Sequence, residues 1–237
     1  MAIATNPWAW RHFESCPSTQ DIAIEAAQRG AALPLAILAR QQTAGRGRGG
    51  RAWHAPDGNL NLSLALEPAA ISPSIWPLLA GVAVHRAVAP LLPDPAALRL
   101  KWPNDLLLGG AKLAGILIES ASSSNHALDW LVIGIGLNIA GAPSLPDRPA
   151  TSLAAHGVVI APENLAHAIT AAIDELLAVS NDAIRQEWLS RATPRGTDMT
   201  VHGPAGMVHG RFAGLAPDGA LLLDTGETIR SGDVLLR

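Results

Sequence analysis

A single cysteine, Cys16, stands in 237 residues, so no disulfide can form within the chain, which suits a reducing compartment. Tyrosine is absent, and charged residues make up only 16% of the chain against 49% apolar ones. That balance excludes wholesale disorder and leaves enough apolar surface for a sizeable core. Positive charge is not in excess: the formal net charge of −3 argues against a protein whose main partner is nucleic acid. Met1–Arg11 lacks the basic start and continuous apolar run of a secretory leader. The longest apolar stretch, Trp130–Ala142, is too short and too rich in glycine to span a bilayer. The expectation is a cytoplasmic protein with no membrane partner. Several chemical templates are also missing. No Gly-x-x-x-x-Gly-Lys-Ser/Thr loop occurs. Gly45–Gly50 matches the letters of a dinucleotide fingerprint but leads into a turn and a strand, not a helix. The eight histidines show no zinc-type pairing. Cys16 has no evident catalytic partner and reads as a small buried apolar residue.

What is present is concentrated first in Gln42-Thr43-Ala44-Gly45-Arg46-Gly47-Arg48-Gly49-Gly50-Arg51-Ala52-Trp53. Arg40, Arg46, Arg48 and Arg51 fall close together, and no acid follows until Asp57. Glycine lets the backbone approach a ligand closely, and arginine offers a planar fork suited to phosphate and carboxylate oxygens. Composition alone also allows an Arg/Gly segment that binds RNA without specificity. The run is short, however, and lies between two apolar segments, Leu33–Ala39 and Leu60–Leu66, which both read as strands. It is therefore expected to be a mobile cationic connection between strands that closes on an anion.

Along the chain, Ala9–Phe13 reads as a short strand. Ser18 opens a helical pattern over Ile22–Arg29, with Asp21 three residues on as in a capping box. Helix capping is the plain role for Ser18 and Thr19; a helix N-terminus is also a place to hold polar ligand atoms. Asn59–Glu67 alternates as a half-buried strand, and Ser72–Leu92 reads as a helix opened by Ser72-Pro73. Leu98–Trp102 and Leu106–Leu108 are strand pieces, Gly109-Gly110 a hairpin turn, and Lys112–Glu119 the return. Ser120–Asp129 is a polar loop. Trp130–Ile139 is a strand interrupted by Gly134 and Gly136, a sign of close approach by a ligand or another backbone. Pro143–Pro149 is a proline-rich excursion, Thr151–His156 a short helix, and Pro162–Val179 and Asn181–Arg191 are amphipathic helices. The tryptophans at 8, 10, 76 and 188 read as packing residues. Beyond Thr193-Pro194-Arg195-Gly196 the pattern changes to short strands and tight turns, enough for a small SH3-like barrel docked on the rest. The expected domains are thus 1–192 and 193–237.

The second informative cluster is Lys101-Trp102-Pro103-Asn104-Asp105, followed by Lys112-Leu113-Ala114-Gly115. A hairpin would bring Asn104 and Asp105 near Lys112. Lysine supplies a point charge to phosphoryl or carboxylate oxygens, and asparagine and aspartate can orient ribose hydroxyls or waters on Mg²⁺. Lys101 and Lys112 could equally be exposed strand lysines.

Taken in order and spacing, Ser18-Thr19-Gln20, Gln42 to Trp53, Lys101 to Asp105, Lys112 to Glu119 and Gly134-Ile135-Gly136-Leu137-Asn138 resemble the biotin protein ligase family, the biotin–[acetyl-CoA-carboxylase] ligases. The likeness covers nearly the whole chain, and the turns and strands from Gly210 to Val234 are similar to that family's C-terminal barrel. The resemblance implies an α+β fold: a class II synthetase-like mixed sheet with helices on one side, plus the SH3-like β-barrel. It implies formation of biotinyl-5′-AMP from biotin and MgATP, and transfer of biotin to a lysine of a biotin carboxyl carrier protein or domain. Ser18, Thr19 and Gln20 would line the ureido pocket. Gln42, Gly45, Arg46, Gly47, Arg48, Lys112 and Gly115 would complete the biotin site. Arg46, Arg48, Arg51, Trp53, Asn104, Asp105, Lys112 and Asn138 would serve the nucleotide. Lys112 and Arg48 would be catalytic, with no direct protein ligand to a metal and Asp105 as a contact through water. Bifunctional members start with a DNA-binding domain; here the catalytic motifs begin near the N-terminus, so no DNA partner is expected, and the chain would be a monomer or homodimer. Two positions depart from the family: Gln20 stands where asparagine is usual, and Gly49 where arginine is common. A lipoate or octanoate ligase or transferase sharing the core fold is the alternative, and the Gly-Arg-Gly-Arg run and C-terminal barrel argue against it.

Overall fold

Leu60, Leu62, Leu64 and Leu66 alternate with Asn61, Ser63 and Ala65, and a period of two gives a pleated strand two different faces. The computed structural model, which describes residues 8–67, 70–122, 128–144, 148–203 and 206–236, makes this stretch strand β3 (Leu60–Leu66) of a seven-stranded sheet. Every residue of β3 is buried, including Asn61 and Ser63. The half-buried strand expected from the alternation is thereby corrected: the sheet is covered on both sides, and on the polar face Ser63 borders a cavity while Asn61 bonds to Gln42 and to the Ala39 and Arg40 carbonyls. The leucine face packs with α2 (Trp76–Val88) and α3 (Pro162–Leu176). Ala65, on the other face, clusters with Ala23 and Ala26 of α1 (Thr19–Gln28). The main helical layer therefore lies on one side, with α1 alone on the other.

The sheet order is β1 (Ala9–Cys16), β2 (Leu35–Gln42), β3, β7 (Leu128–Leu137), β6 (Ala111–Ser122), β5 (Asp105–Leu108) and β4 (Leu98–Lys101). Among the described strands of this sheet only β1 and β2 pair in parallel, and α1 makes the crossover that a parallel pair requires. Gly109 and Gly110, at φ +59° and +81°, turn the β5–β6 hairpin with the two left-handed residues such a turn needs. β6 continues to Ser122 and β7 starts at Leu128, so the ends of the expected polar loop are strand; residues 123–127 lie outside the described residues, as do 145–147 of the proline-rich excursion. Only Ala154–His156 of the expected short helix forms a helical turn. The helical run Pro73–Leu91, with mean hydropathy 1.3, has the length and composition of a membrane span, a feature the reading of apolar stretches missed. It is instead a core element, with 67% of its apolar window buried.

After α4 (Asn181–Ser190), strands β8 (Asp198–Gly203), β9 (Gly206–Leu215), β10 (Leu221–Leu223), β11 (Thr228–Ile229) and β12 (Asp233–Leu236) form an antiparallel sheet in the order β11-β10-β9-β8-β12. It shares the main apolar core: the Trp188 ring of α4 meets Phe212 edge-on at 6.5 Å. Trp102 Nε1, just after β4, donates to the Gly219 carbonyl at 3.1 Å. These contacts bring the start of β12 to the rim of the site.

Candidate active site

The site is built on a floor of glycines. Gly115 of β6 lies opposite Gly136 of β7, and Leu117 opposite Gly134. A β-carbon on Gly136 would fall 2.2 Å from Trp53 Cε2, and one on Gly134 would fall 2.5 Å from Gln20 Oε1. One on Gly115 would meet Lys112 Nζ at 3.2 Å. The missing side chains thus make room for an indole, an amide and an ammonium group, the close approach expected of the glycines in β7. Above this floor is a cavity of about 160 Å³.

One end of the cavity is neutral and polar. Ser18, fully buried, caps α1 by accepting from the Asp21 amide at 3.3 Å. The Gln42 side-chain oxygen accepts from the Thr19 amide at 2.8 Å and the Thr19 hydroxyl at 3.0 Å. The Thr19 and Ser63 hydroxyls lie 2.9 Å apart, and Ser63 donates to Gln20 Oε1 at 3.2 Å. Gln20 Nε2 donates to Glu119 Oε2 at 3.1 Å and to the Val132 carbonyl at 3.5 Å. Because each group fixes the next, this end has a defined array of donors and acceptors. Leu62, Ile116, Leu117 and Ile135 supply apolar walls beside it.

The other end is cationic, with Lys112 of β6 and Lys101 at the end of β4 gathered around Asp105 of β5. Asp105 is buried between two lysines, Lys101 Nζ at 2.9 Å and Lys112 Nζ at 2.6 Å. Burial pushes the Asp105 carboxyl up, but the two ammonium groups outweigh it and hold it below its ordinary range. Lys101 is not an exposed strand lysine: it is buried and donates to the Val234 carbonyl at 2.9 Å. Lys112 lines the cavity. Asn104 Nδ2 donates to the Ile116 carbonyl at 2.7 Å, and Asn138 Nδ2 to the Thr151 carbonyl at 3.0 Å, so both amides pin backbone beside the cavity.

The Gly/Arg loop folds back on itself. Trp53 N donates to the Gly45 carbonyl at 2.9 Å and Gly47 N to the Arg51 carbonyl at 2.7 Å, while Arg46 bridges to Ala52. A β-carbon on Gly45 would lie 2.5 Å from the Trp53 carbonyl, so that closure requires glycine. The loop's arginines are engaged by protein groups. Arg46 pairs with Asp21 and, at 2.8 Å, with Glu119, and both acids strengthen its hold on its proton. Arg48 donates to the Gly232 carbonyl at 2.7 Å, and Arg51 pairs with Asp233 at 2.7 Å. Arg40 stands apart on exposed pairs with Asp57 and Glu14. The Trp53 indole lies on Gly136, its buried Nε1 without a hydrogen-bond partner among the described residues.

Of the residues singled out from the sequence, Ser18, Thr19, Gln20, Gln42, Arg46, Gly47, Arg48, Arg51, Trp53, Asn104, Lys112, Gly115 and Asn138 line this one cavity. Gly45 and Asp105 do not line it; they hold the loop and the lysines that do. Ser63 and Arg148 also line it and were missed. Ser63 could have been found from the polar face of β3. Arg148, 3.7 Å from Asp233, sits in the proline-rich excursion and carries no pattern that marks it.

Residues 13–138 match the profile of the biotin/lipoate A/B protein ligase family. The chain is 36% identical over 199 residues to a biotin–[acetyl-CoA-carboxylase] ligase of Paracoccus denitrificans, covering 79% of this chain and 82% of the relative. Its fold is similar to that of the biotin protein ligase of Aquifex aeolicus solved with biotin and ATP, with TM-score 0.78, 26% identity, and 97% and 98% of the two chains covered. It is also similar to the Leishmania major enzyme solved with biotinyl-5-AMP, with TM-score 0.70, 28% identity and coverage of 93% and 97%. By sequence, fold and the site these residues build, the chain belongs to the biotin/lipoate A/B protein ligase family.

Proposed function

We propose that this cavity joins biotin to ATP and then hands the biotinyl group to a lysine of a carrier protein or domain of a biotin-dependent carboxylase. The observation that carries this reading is the cavity's division into a neutral, hydrogen-bonding end and a cationic end, bridged by apolar walls. A cyclic urea needs donors and acceptors in a fixed array; the dithiolane of lipoate or the tail of octanoate would leave the Ser18–Thr19–Ser63–Gln20 groups unmatched, and unmatched buried polar groups discriminate strongly.

In the first step a biotin carboxylate oxygen attacks the α-phosphorus of ATP, the bond to the β-phosphate oxygen breaks, and pyrophosphate leaves with the electron pair. Two anions must meet, so the barrier is largely electrostatic. Lys112, which lines the cavity at its cationic end beside Asp105, would meet the oxygens on which charge builds. Gln42 and the loop from Gly45 to Arg48 would cover the biotin carboxylate and phosphate and exclude water from the mixed anhydride. Trp53, which lines the cavity and whose Nε1 has no hydrogen-bond partner among the described residues, would meet the base, with Asn104 and Asn138 fixing the backbone around the nucleotide. In the second step the neutral amine of the acceptor lysine attacks the biotinyl carbonyl, AMP leaves, and the amine proton passes to solvent. Mg²⁺ would arrive with the nucleotide as part of the substrate. Both oxygens of Asp105 are held by lysines, so that carboxylate does not fit a metal role, and no step runs through it.

Biotin-dependent ATP–pyrophosphate exchange, followed by transfer to a carrier domain, tests the reading, with lipoate and octanoate as parallel substrates. Exchange and transfer with biotin are expected. Exchange only with lipoate or octanoate would overturn it.

A further inference from the structure

Gly232 and the first two residues of β12 touch the site at three consecutive positions. The Gly232 carbonyl accepts from Arg48, the Asp233 carboxylate pairs with Arg51 and lies 3.7 Å from Arg148, and the Val234 carbonyl accepts from Lys101. Arg51 also donates to the Arg48 carbonyl at 3.1 Å, so the two loop arginines form one unit. Gly232 packs closely on β8, where a β-carbon would meet Val201 Cγ1 at 2.7 Å and the His202 carbonyl at 3.1 Å. Strand pairing of Asp233 with His202 of β8 fixes the next residue as well. A rigid strand of the C-terminal sheet thus holds the end of the Gly/Arg loop away from the loop's own strands.

We infer that Asp233 is a positioning residue for the ligase reaction: through Arg51 it ties the Gly/Arg loop to the C-terminal sheet and keeps the loop closed over the activated intermediate. The C-terminal sheet then contributes to retention of the adenylate through the loop, without touching the reacting atoms. Half-buried, Asp233 is subject to burial that pushes its carboxyl up, but Arg51, Arg148 and Lys101 together hold it below its ordinary range, in keeping with a carboxylate shared among the site's cations. Loss of the carboxylate leaves the Arg48–Gly232 bond as the remaining loop tie to this segment among the described residues. The loop should then open more often, and the consequence falls on release of the adenylate more than on binding of biotin.

This inference rests on the ligase reading, and the experiment separates the two. Full-length wild type, Asp233→Asn and Asp233→Glu are loaded with biotin and ATP, and release of free biotinyl-AMP is followed without carrier protein, alongside melting temperature and KM for biotin. Asp233→Asn is expected to release adenylate roughly three- to tenfold faster, with melting temperature and KM for biotin close to wild type. Asp233→Glu is expected to restore retention to within about twofold. If wild type makes no adenylate, the ligase reading fails. If wild type makes it and Asp233→Asn retains it equally well, only this inference fails. A merely structural role would lower the melting temperature in both variants in step with leakage, and that result would also overturn it.

Discussion

Gly134 and Gly136 stand two residues apart on β7 and point at the same cavity, yet alanine at each should damage a different half of the reaction. At Gly136 a methyl group would sit 2.2 Å from Trp53 Cε2 and 2.4 Å from Cζ2. Ordinary carbon contacts lie at about 3.5–4.0 Å, so the indole must retreat by about 1.5 Å. A fused ring cannot bend out of the way. Such overpacking typically costs about 1–3 kcal/mol, which converts to a rise in KM for ATP of roughly 5- to 150-fold. At Gly134 the methyl would fall 2.5 Å from Gln20 Oε1. That atom ends a flexible side chain and can move, but moving it disturbs the bonds from Ser63 and to Glu119 and the Val132 carbonyl. Buried groups left unpaired cost about 1–3 kcal/mol, here at the neutral end, so KM for biotin should rise by a similar factor. Neither glycine has a positive φ among the described residues, so alanine adds no backbone strain.

The assay is the initial rate of pyrophosphate exchange, with each substrate varied at saturation of the other and unfolding midpoints measured in parallel. Gly115→Ala is the milder control, because its nearest contacts are the flexible Lys112 Nζ and Cε at 3.2 and 3.3 Å. The expected result is a crossed pattern, with biotin affected by Gly134→Ala and ATP by Gly136→Ala. If both variants raise the same KM, or if Gly136→Ala leaves ATP unaffected, the assignment of the two ends of the cavity is wrong.

Lys112→Ala should lower adenylate formation by about a hundredfold or more; single-turnover formation at the wild-type rate would remove the lysine from the chemistry. Burial, with Arg191 and Arg99 adding to it, pushes buried His85 of α2 down to about 4 from its ordinary 6.5. The unfolded chain then binds more protons between these values, so stability is full above pH 6.5 and falls as pH drops toward 4. Urea midpoints should decline over that window in wild type and less in His85→Gln, and parallel declines would refute the assignment. Trypsin should cut the Gly/Arg loop between Arg46 and Arg51 more slowly with bound biotinyl-AMP; equal rates would show that the adenylate does not order it.

The parts of the site that were legible in the sequence are those whose signal is local. Two adjacent glycines marked the hairpin that brings Asp105 to Lys112, seven positions on. Ser18 announced the helix start that it caps, and glycines interrupting an apolar strand marked the floor. The burial of β3 was not legible, because alternation reports two chemically different faces without saying what covers the polar one. Partner choice in the loop was hidden for a related reason. Arg46 meets Glu119 across 73 positions and Arg51 meets Asp233 across 182, and no composition or spacing rule links residues so far apart.

Those distant partners change where the site's working charge lies. A glycine-arginine run suggests a reservoir of cations, yet Arg46 sits between two carboxylates and Arg51 on a third. A ligand oxygen that takes one of these arginines gains only the difference between the new bond and the one displaced. The loop is thus well suited to clasp and release and less suited to supplying most of the transition-state stabilisation. Around Asp105, by contrast, Lys101 of β4 and Lys112 of β6 share a single carboxylate, so this cluster carries one positive charge in excess. That excess equals the single negative charge on the phosphate of an acyl adenylate. Burial strengthens the attraction, and the Asp105 contact holds the Lys112 ammonium group before any substrate arrives, which lowers the reorganisation needed during reaction. In the proposed reaction the cationic loop would therefore act chiefly as a closure anchored by protein acids, and Lys112 would carry the electrostatic part of the chemistry.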